Sequence, residues 1–308
     1  MSELPLVSVI AVCYNHAKYV VETLDSIKKQ TYQNIELIII DSNSQDDSVK
    51  SIQKWIDRNN IQCSFIKQTE PKNISQNLNK GLQICKGEFI QVIATDDKLL
   101  PTKISLQAKY LMKNSECGVV FSNSFIMDEF SVKLKRLYKD QDMLIEVSSN
   151  NSFNELIYRG SFIIPHSALI RRNVYERVGQ YDENLTIEDW DFFLRVFKEN
   201  IKVHFIKEIL VFYRISQKSL WNTKNFKLFK SQIKTFQKHN MFELPIPMNN
   251  YLTMFSRMKF LDICKGAILL TRIGQVKWAK ILGRKYYKTT LIGRGVNKLG
   301  RITKKLLS

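Results

Sequence analysis

An α/β fold built on a mostly parallel sheet, with helices on both faces and a helical basic extension behind it, is what this sequence predicts, and three observations predict it. Short β-branched runs alternate with stretches in which apolar residues return at helical spacing. The runs are apolar nearly throughout, as strands covered on both faces are, rather than alternating apolar and polar. Acidic residues stand where the runs end, at Asp41 and at Asp96-Asp97, and in open α/β sheets the carboxyl ends of strands are where ligands bind.

Val7 to Val12 reads as the first strand and ends at Cys13-Tyr14-Asn15. Val20, Val21, Leu24 and Ile27 mark a helix between Tyr19 and Lys29, and Glu36 to Ile40 is a second buried strand ending at Asp41, which completes a βαβ unit. The alternation continues with a helix over Ser48 to Ile61, a strand at Ser64 to Lys67, a helix over Ser75 to Cys85, and a strand from Glu88 to Ile93. That strand runs into Asp96-Asp97 before Pro101 opens another helix. Gly118 to Phe125 reads as a strand. Met127 to Asn154 is polar and weakly periodic, as a flap over a site or a plain connection would be. A strand and short helix follow over Ser167 to Gly179, then a helix over Ile187 to Phe197 opening with Glu188-Asp189-Trp190-Asp191, and a strand pair over Val203 to Arg214. The expected division is a main domain over 1–217, in halves of about 1–100 and 101–217, and a helical extension over 218–308.

With 308 residues, 44% of them hydrophobic, the chain can bury a substantial core and is not of disordered composition. Its five cysteines are odd in number and scattered, which fits neither a disulfide framework nor a zinc site and points to a reducing compartment. The first residues lack the basic start and apolar stretch of a signal peptide. No stretch approaches the roughly 20 apolar residues that cross a bilayer. A cytoplasmic protein is expected, with peripheral contact at the inner face of the plasma membrane as a second possibility raised by its charge.

Asp96 and Asp97, following a buried strand, are hard oxygen ligands of the kind that magnesium or manganese shares with substrate phosphates. Alternatively, the pair caps the helix that starts near Pro101. In sequence order the motifs become specific. Val7-Ser8-Val9-Ile10 running to Tyr14-Asn15, and Glu36 to Ile40 leading into Asp41-Ser42-Asn43-Ser44-Gln45-Asp46-Asp47-Ser48, are followed by Asn73-Ile74-Ser75-Gln76-Asn77-Leu78-Asn79-Lys80-Gly81. Then come Lys86-Gly87-Glu88-Phe89-Ile90, Thr95-Asp96-Asp97 and Glu188-Asp189-Trp190-Asp191. In these blocks residues 5 to about 215 resemble glycosyltransferase family 2.

The resemblance implies the GT-A fold, a nucleotide-sugar donor, most readily a UDP-sugar, a divalent cation (Mn2+ or Mg2+), and inversion at the anomeric carbon. It implies that Tyr14 and Asp41 flank the nucleoside base, with Asn15 and Asn79 in the same nucleotide-binding blocks. It places Asp96 near the ribose and diphosphate, Asp97 on the metal, and Asp189 as general base with Glu188 beside it at the acceptor. Lys72, just ahead of the Asn73 block, is placed to meet a phosphate or is simply solvated. His166 falls where relatives line the acceptor side, and its other reading is structural. Trp190 stacks on a sugar ring or packs in the core, and Asp191 lies on the acceptor side but cannot face the same hydroxyl as Asp189. Two departures stand out: Ala94 where many relatives carry an acid, and Ser216 where many carry a histidine.

The +18 net charge is lopsided. Between Tyr251 and Ser308 fourteen Lys or Arg face Asp262 alone, supplying +13 of it. Ile268, Leu269, Ile273, Val276, Trp278, Ile281 and Leu282 are interleaved with those charges, the composition of a basic amphipathic helix at an anionic membrane surface. A solvated face packed on the rest of the protein is the plainer reading. No nucleic-acid motif accompanies the charge, so no specific nucleic acid is expected. The partners implied are a nucleotide sugar and a glycan or lipid-linked acceptor of cell-surface polysaccharide or lipopolysaccharide synthesis, with a homo-oligomer left open. The competing function is a catalytically silent module of the same fold docking on membrane or nucleic acid through its basic end.

Overall fold

The computed structural model describes residues 4–142, 144, 162–215, 226–241, 260–275 and 277–282. Its first half is a run of βα units: β1 (Val7–Cys13), α1 (Val20–Lys28), β2 (Ile35–Asp41), α2 (Ser48–Asn59), β3 (Ser64–Lys67), α3 (Ile74–Ile84) and β4 (Phe89–Ala94). The four strands are parallel in the order β3-β2-β1-β4. Every residue of β1 is buried, because helices cover both faces of a central parallel strand. Val20, Leu24 and Ile27 of α1 and Ile52 and Trp55 of α2 join β1, β2 and β4 in one core. A capping box starts α3, with Asn73 accepting from the Gln76 N–H while the Gln76 side chain accepts from the Asn73 N–H. The helix then lies so close to the sheet that a Cβ on Gly81 would sit 2.5 Å from Ile10 Cγ2. That approach admits only glycine. Cys13 pairs with Asp41 and Val12 with Ala94, so the residues that follow these strands emerge side by side along one edge.

The second half extends the sheet with mixed polarity. It comprises β5 (Lys98–Leu99), α4 (Lys103–Lys113), β6 (Cys117–Met127), β7 (Lys133–Leu137), a 3-10 turn (Pro165–Ser167), β8 (Leu169–Arg171), α5 (Arg172–Val178), α6 (Glu188–Lys198) and β9 (Lys202–Arg214). From β4 the order runs β8-β6-β9-β5, with β7 paired to β6 alone. Two features differ from expectation. Part of the polar stretch after Met127 is a β-hairpin, in which β7 turns back on β6, while 145–161 lie outside the described residues. The expected strand pair over Val203 to Arg214 is a single strand. It follows β6 in parallel past register shifts around Ser122, Asn123 and Ser124, which bend the pairing without a turn; Lys207-Glu208 supplies none of the Gly, Pro or Asn chemistry that a hairpin there would need.

The chain divides into two compact units, Met1–Glu183 with Glu188–Ser216, and Asn184–Ile187 with Gln217–Ser308. In the second unit α7 (Phe226–Lys238) buries Leu228, Phe229, Ile233 and Phe236 on one face, and its Ser231 hydroxyl accepts from the Thr186 N–H at 2.7 Å. α8 (Phe260–Arg272) packs against α7. In the stretch read as an amphipathic anchor, Trp278 is 7% exposed and Leu282 fully buried, so these two apolar side chains face into the protein. No helix among the described residues is long and apolar enough to cross a membrane.

Candidate active site

The edge where β1, β2 and β4 end is shaped by two left-handed asparagines, Asn15 (φ 55°) and Asn43 (φ 60°), a conformation that Asn tolerates better than most residues. The Asn15 N–H donates to Ser44 Oγ at 2.9 Å, and its side-chain oxygen accepts from the Gln45 N–H at 2.7 Å. Asn15 thus ties the β1 loop to the β2 loop, and Tyr14 beside it is 49% exposed. Asp41 is 1% exposed, its two carboxylate oxygens accepting from the Ser44 N–H (2.8 Å) and hydroxyl (2.6 Å). Lys72 is half-buried and pairs with Glu70 at 3.2 Å, while its backbone bonds to the Ser42 hydroxyl.

The turn after β4 carries Asp96 and Asp97 to the same edge. The Asp96 side chain is 32% exposed and lies 3.8 Å from His16 Nε2; His16 Nδ1 is 3.0 Å from Thr95 Oγ1. Asp97 is 5% exposed. Its Oδ1 accepts from the Arg214 N–H at 2.8 Å and its Oδ2 is 3.2 Å from His166 Nδ1. Burial, and then the charge of Asp96, push the Asp97 carboxyl well above the usual range, against the N–H and charge of Arg214. His166, expected on the acceptor side, is buried and faces Asp97 instead; desolvation, aided by the Lys103 charge, takes its imidazole down to about 3, so it is neutral.

His16 has no role in the sequence reading, and Arg214 enters it only as the arginine two residues ahead of Ser216. The Arg214 side chain is 1% exposed. It donates to the Asp96 carbonyl, to the Asp128 carbonyl and Ser131 hydroxyl of the β6–β7 turn, and to Glu22 of α1 at 2.8 Å, and it lies over the Tyr19 ring. One residue at the end of β9 thereby fastens the Asp96-Asp97 turn to two other elements. Only the position of an Arg after Phe212-Tyr213 hinted at it, since its partners lie more than 80 residues away in the chain.

Glu188 and Asp189 open α6, half-buried. Among the described residues neither forms an ion pair with a cation; Asp189 Oδ1 accepts from the Trp190 N–H at 2.8 Å. Desolvation, with the Asp189 charge added, raises the Glu188 carboxyl to about 8. Desolvation also raises Asp189 to about 6, opposed by the backbone N–H groups of Trp190 and Asp189. The pair titrates as one system, both carboxyls held above the usual range by burial. Tyr213 of β9 feels the charges of both Asp189 and the β4 turn. Its hydroxyl is held far above the usual range by burial and then by the charges of Asp97, Tyr138, Asp189 and Asp96.

Three other expected site residues have different tasks. Trp190 is 1% exposed and Asp191 fully buried, because the helix turns them inward, so neither reaches a sugar on the surface. Asp191 pairs with Arg195 one turn on, and Arg195 in turn holds the carbonyls of Val178, Gly179 and Gln180. Asn79 uses both amide hydrogens on Tyr181 O and Glu183 Oε1 and accepts from the Tyr181 N–H. It therefore fastens the loop before α6 rather than presenting an amide to a nucleotide.

Residues 8–179, more than half of the chain, match the model of the family described as Glycosyl transferase family 2. The chain belongs to that family. Among similar proteins, an uncharacterized glycosyltransferase of Methanocaldococcus jannaschii is 27% identical over 213 residues, covering 68% of this chain and 71% of that one. Glycosyltransferase GlyG of Streptococcus pneumoniae is 27% identical over 230 residues, covering 73% and 75%. Among solved structures, the mannosyltransferase PcManGT of Pyrobaculum calidifontis, in complex with GDP-Man and Mn2+, superposes with a TM-score of 0.60 at 16% identity, over 99% of this chain and 80% of that one. TarS of S. aureus, in complex with UDP-GlcNAc, gives 0.58 at 14% identity over 92% of each. The GT-A fold of this family 2 glycosyltransferase is thereby established. The family match ends at Gly179, ahead of Glu188-Asp189. Ala94 ends β4 half-buried, and Ser216 lies outside the described residues.

Proposed function

We propose that this glycosyltransferase moves a sugar from a nucleoside diphosphate, most readily UDP, to an acceptor hydroxyl with inversion, using Asp189 as general base. The observation that carries the reading is that the β4-turn carboxylates and Asp189 of α6 all act on the buried Tyr213 hydroxyl. Tyr14, exposed at the β1 edge, offers the open aromatic face for the base, with Asp41, Asn15 and Lys72 around it. Asp96, the more open carboxylate, faces the diphosphate with His16.

The residues present fit a divalent cation. Asp96 and Asp97 are hard oxygen donors of the kind such an ion takes, one or two carboxylates completed by substrate phosphates and water. When bound by Asp97 with Asp96 beside it, Mn2+ or Mg2+ would neutralise charge on the departing diphosphate. Arg214 and His166 orient Asp97 for that task. At the other end of the cleft, Asp189 accepts the proton of the acceptor hydroxyl, whose oxygen forms the new bond to the anomeric carbon as the bond to the diphosphate breaks. An anionic base near 6 is well matched to neutral pH. The protonated Glu188 donates a hydrogen bond to the acceptor sugar.

The acceptor is proposed to be a glycan or a lipid-linked saccharide of surface polysaccharide or lipopolysaccharide assembly, met at the cytoplasmic face of the membrane. The support is the basic charge of the C-terminal segment, which would bear on anionic headgroups; the inward packing of Trp278 removes that side chain as the anchor. The test is release of nucleoside diphosphate from a panel of nucleotide sugars with Mn2+ or Mg2+, by the wild type and by Asp189→Asn. Metal-dependent release by the wild type that the variant loses is the expected result. Absence of release and of calorimetric binding with every donor would replace this reading with a silent module.

A further inference from the structure

Three consecutive backbone carbonyls behind the cleft are each held by a buried side chain. Gln91 Nε2 donates to His166 O at 3.0 Å, Gln107 Nε2 to Ser167 O at 2.8 Å, and Lys103 Nζ to Ala168 O at 3.1 Å. All three donors are fully buried. Gln91 comes from β4, while Lys103 and Gln107 stand one turn apart on the inner face of α4.

The segment they grip is a 3-10 turn of only three residues. Its own bonds are Ser167 N–H to Ile164 O, Ala168 N–H to Pro165 O, and the Ser167 hydroxyl to Ile164 O. So short a turn has poor hydrogen-bond geometry and little stiffness of its own. It carries His166, whose Nδ1 meets Asp97 at 3.2 Å and whose buried ring also lies against the Phe212 backbone.

We propose that Gln91, Lys103 and Gln107 are positioning residues: they clamp the 165–168 turn so that His166 holds Asp97 in one orientation, and Asp97 in turn presents the donor side of the cleft. The proposal rests on the reading of Asp97 as a donor-side carboxylate.

Volume alone does not account for the three. The amide oxygens of Gln91 and Gln107 are buried without partners, and Lys103 has no ion pair among the described residues. Leucine or methionine would fill these positions without the cost of burying unsatisfied polar groups or a charge. What the polar side chains add is direction, because each donor fixes one carbonyl and three fixed carbonyls leave the turn a single placement. A group that orients a ligating carboxylate from behind is worth roughly 10- to 100-fold in activity or metal affinity.

The test uses the full chain in two variants, Lys103→Met and Gln107→Leu, with two readouts. In 15N spectra of histidine-labelled protein, wild-type His166 is expected as one tautomer, and both variants are expected to show tautomer mixing. In steady-state kinetics both variants are expected to lose roughly 10- to 100-fold in kcat/KM for the nucleotide sugar, with the acceptor KM unchanged and cooperative thermal unfolding retained. If Lys103→Met does not fold, Gln107→Leu decides alone. A fixed tautomer with wild-type donor kinetics in a folded variant overturns the clamp. Asp97→Asn run in parallel separates the two readings: unchanged donor kinetics there would sink the donor-side role of Asp97, while the tautomer readout still judges the clamp.

Discussion

The cleft contains two carboxylate pairs of adjacent residues, and the structure treats them oppositely. Asp96-Asp97 is bound by an Arg backbone N–H, a histidine and a guanidinium on the Asp96 carbonyl. Glu188-Asp189 has a helix N-terminus and no cation among the described residues. A pair locked by fixed donors is suited to hold something in place, because its geometry is settled before the ligand arrives. A pair left desolvated without a counter-charge is suited to exchange a proton near neutrality, because burial has moved its titration there. On the proposed reading, carboxylates would serve orientation in one place and proton transfer in the other.

The largest effect should come from the base. Asp189→Asn keeps the shape and removes proton acceptance, so transfer should fall by about 10²- to 10⁴-fold while calorimetric donor affinity stays at the wild-type value; a loss of affinity instead would assign Asp189 to binding and erase the contrast. Asp97→Asn should do the reverse, with cation-dependent donor binding weakened by roughly 10- to 100-fold, and an unaltered manganese titration would show that the locked pair holds nothing.

Arg214→Gln tests whether the lock is real. It removes one of the two cations on Glu22, Lys98 remaining at 2.6 Å, and frees the Asp96 carbonyl, which should cost about 1.5–3 kcal/mol, the range for hydrogen bonds to a charged group. Chemical denaturation that matches the wild type would mean the network at the end of β9 is not holding the turn.

The smallest effect separates the two members of the open pair. In the wild type kcat should rise with pH through about 6 as Asp189 loses its proton, and fall through about 8 as Glu188 loses the proton it donates. Glu188→Gln should abolish the alkaline fall and leave the acid limb in place. Stability follows the same proton. The folded-state value of Glu188 lies above its ordinary one, so its contribution is fully present at low pH and is lost as pH rises through about 8. Glu188→Gln should therefore unfold at a higher temperature than the wild type at pH 9, by about 2–4 °C for a gain near 1 kcal/mol, with no such gain at pH 4; equal melting at both would show that the proton is not where burial places it.

The sequence by itself determined the alternation of strands and helices, the buried character of β1, β2 and β4, and the presence of acids at their ends. These are local properties, read from periodicity and from what a strand covered on both faces must look like. The order of the motif blocks determined the family, although no single block could. Tertiary structure alone decided which residues face the cleft. Trp190 and Asp191 adjoin the proposed base in sequence yet point into the core, because a helix turns neighbours about 100° apart. Asn79 sits within a family block yet bonds to Tyr181 and Glu183, about a hundred residues on. His166 turned from the expected acceptor side to Asp97, and the roles of Arg214, His16 and the carbonyl clamp come from partners distant in the chain. Hydrogen bonds of that range leave no periodic trace in a sequence, and burial, which sets the titration of Glu188 and Asp189, exists only once the chain has closed around them.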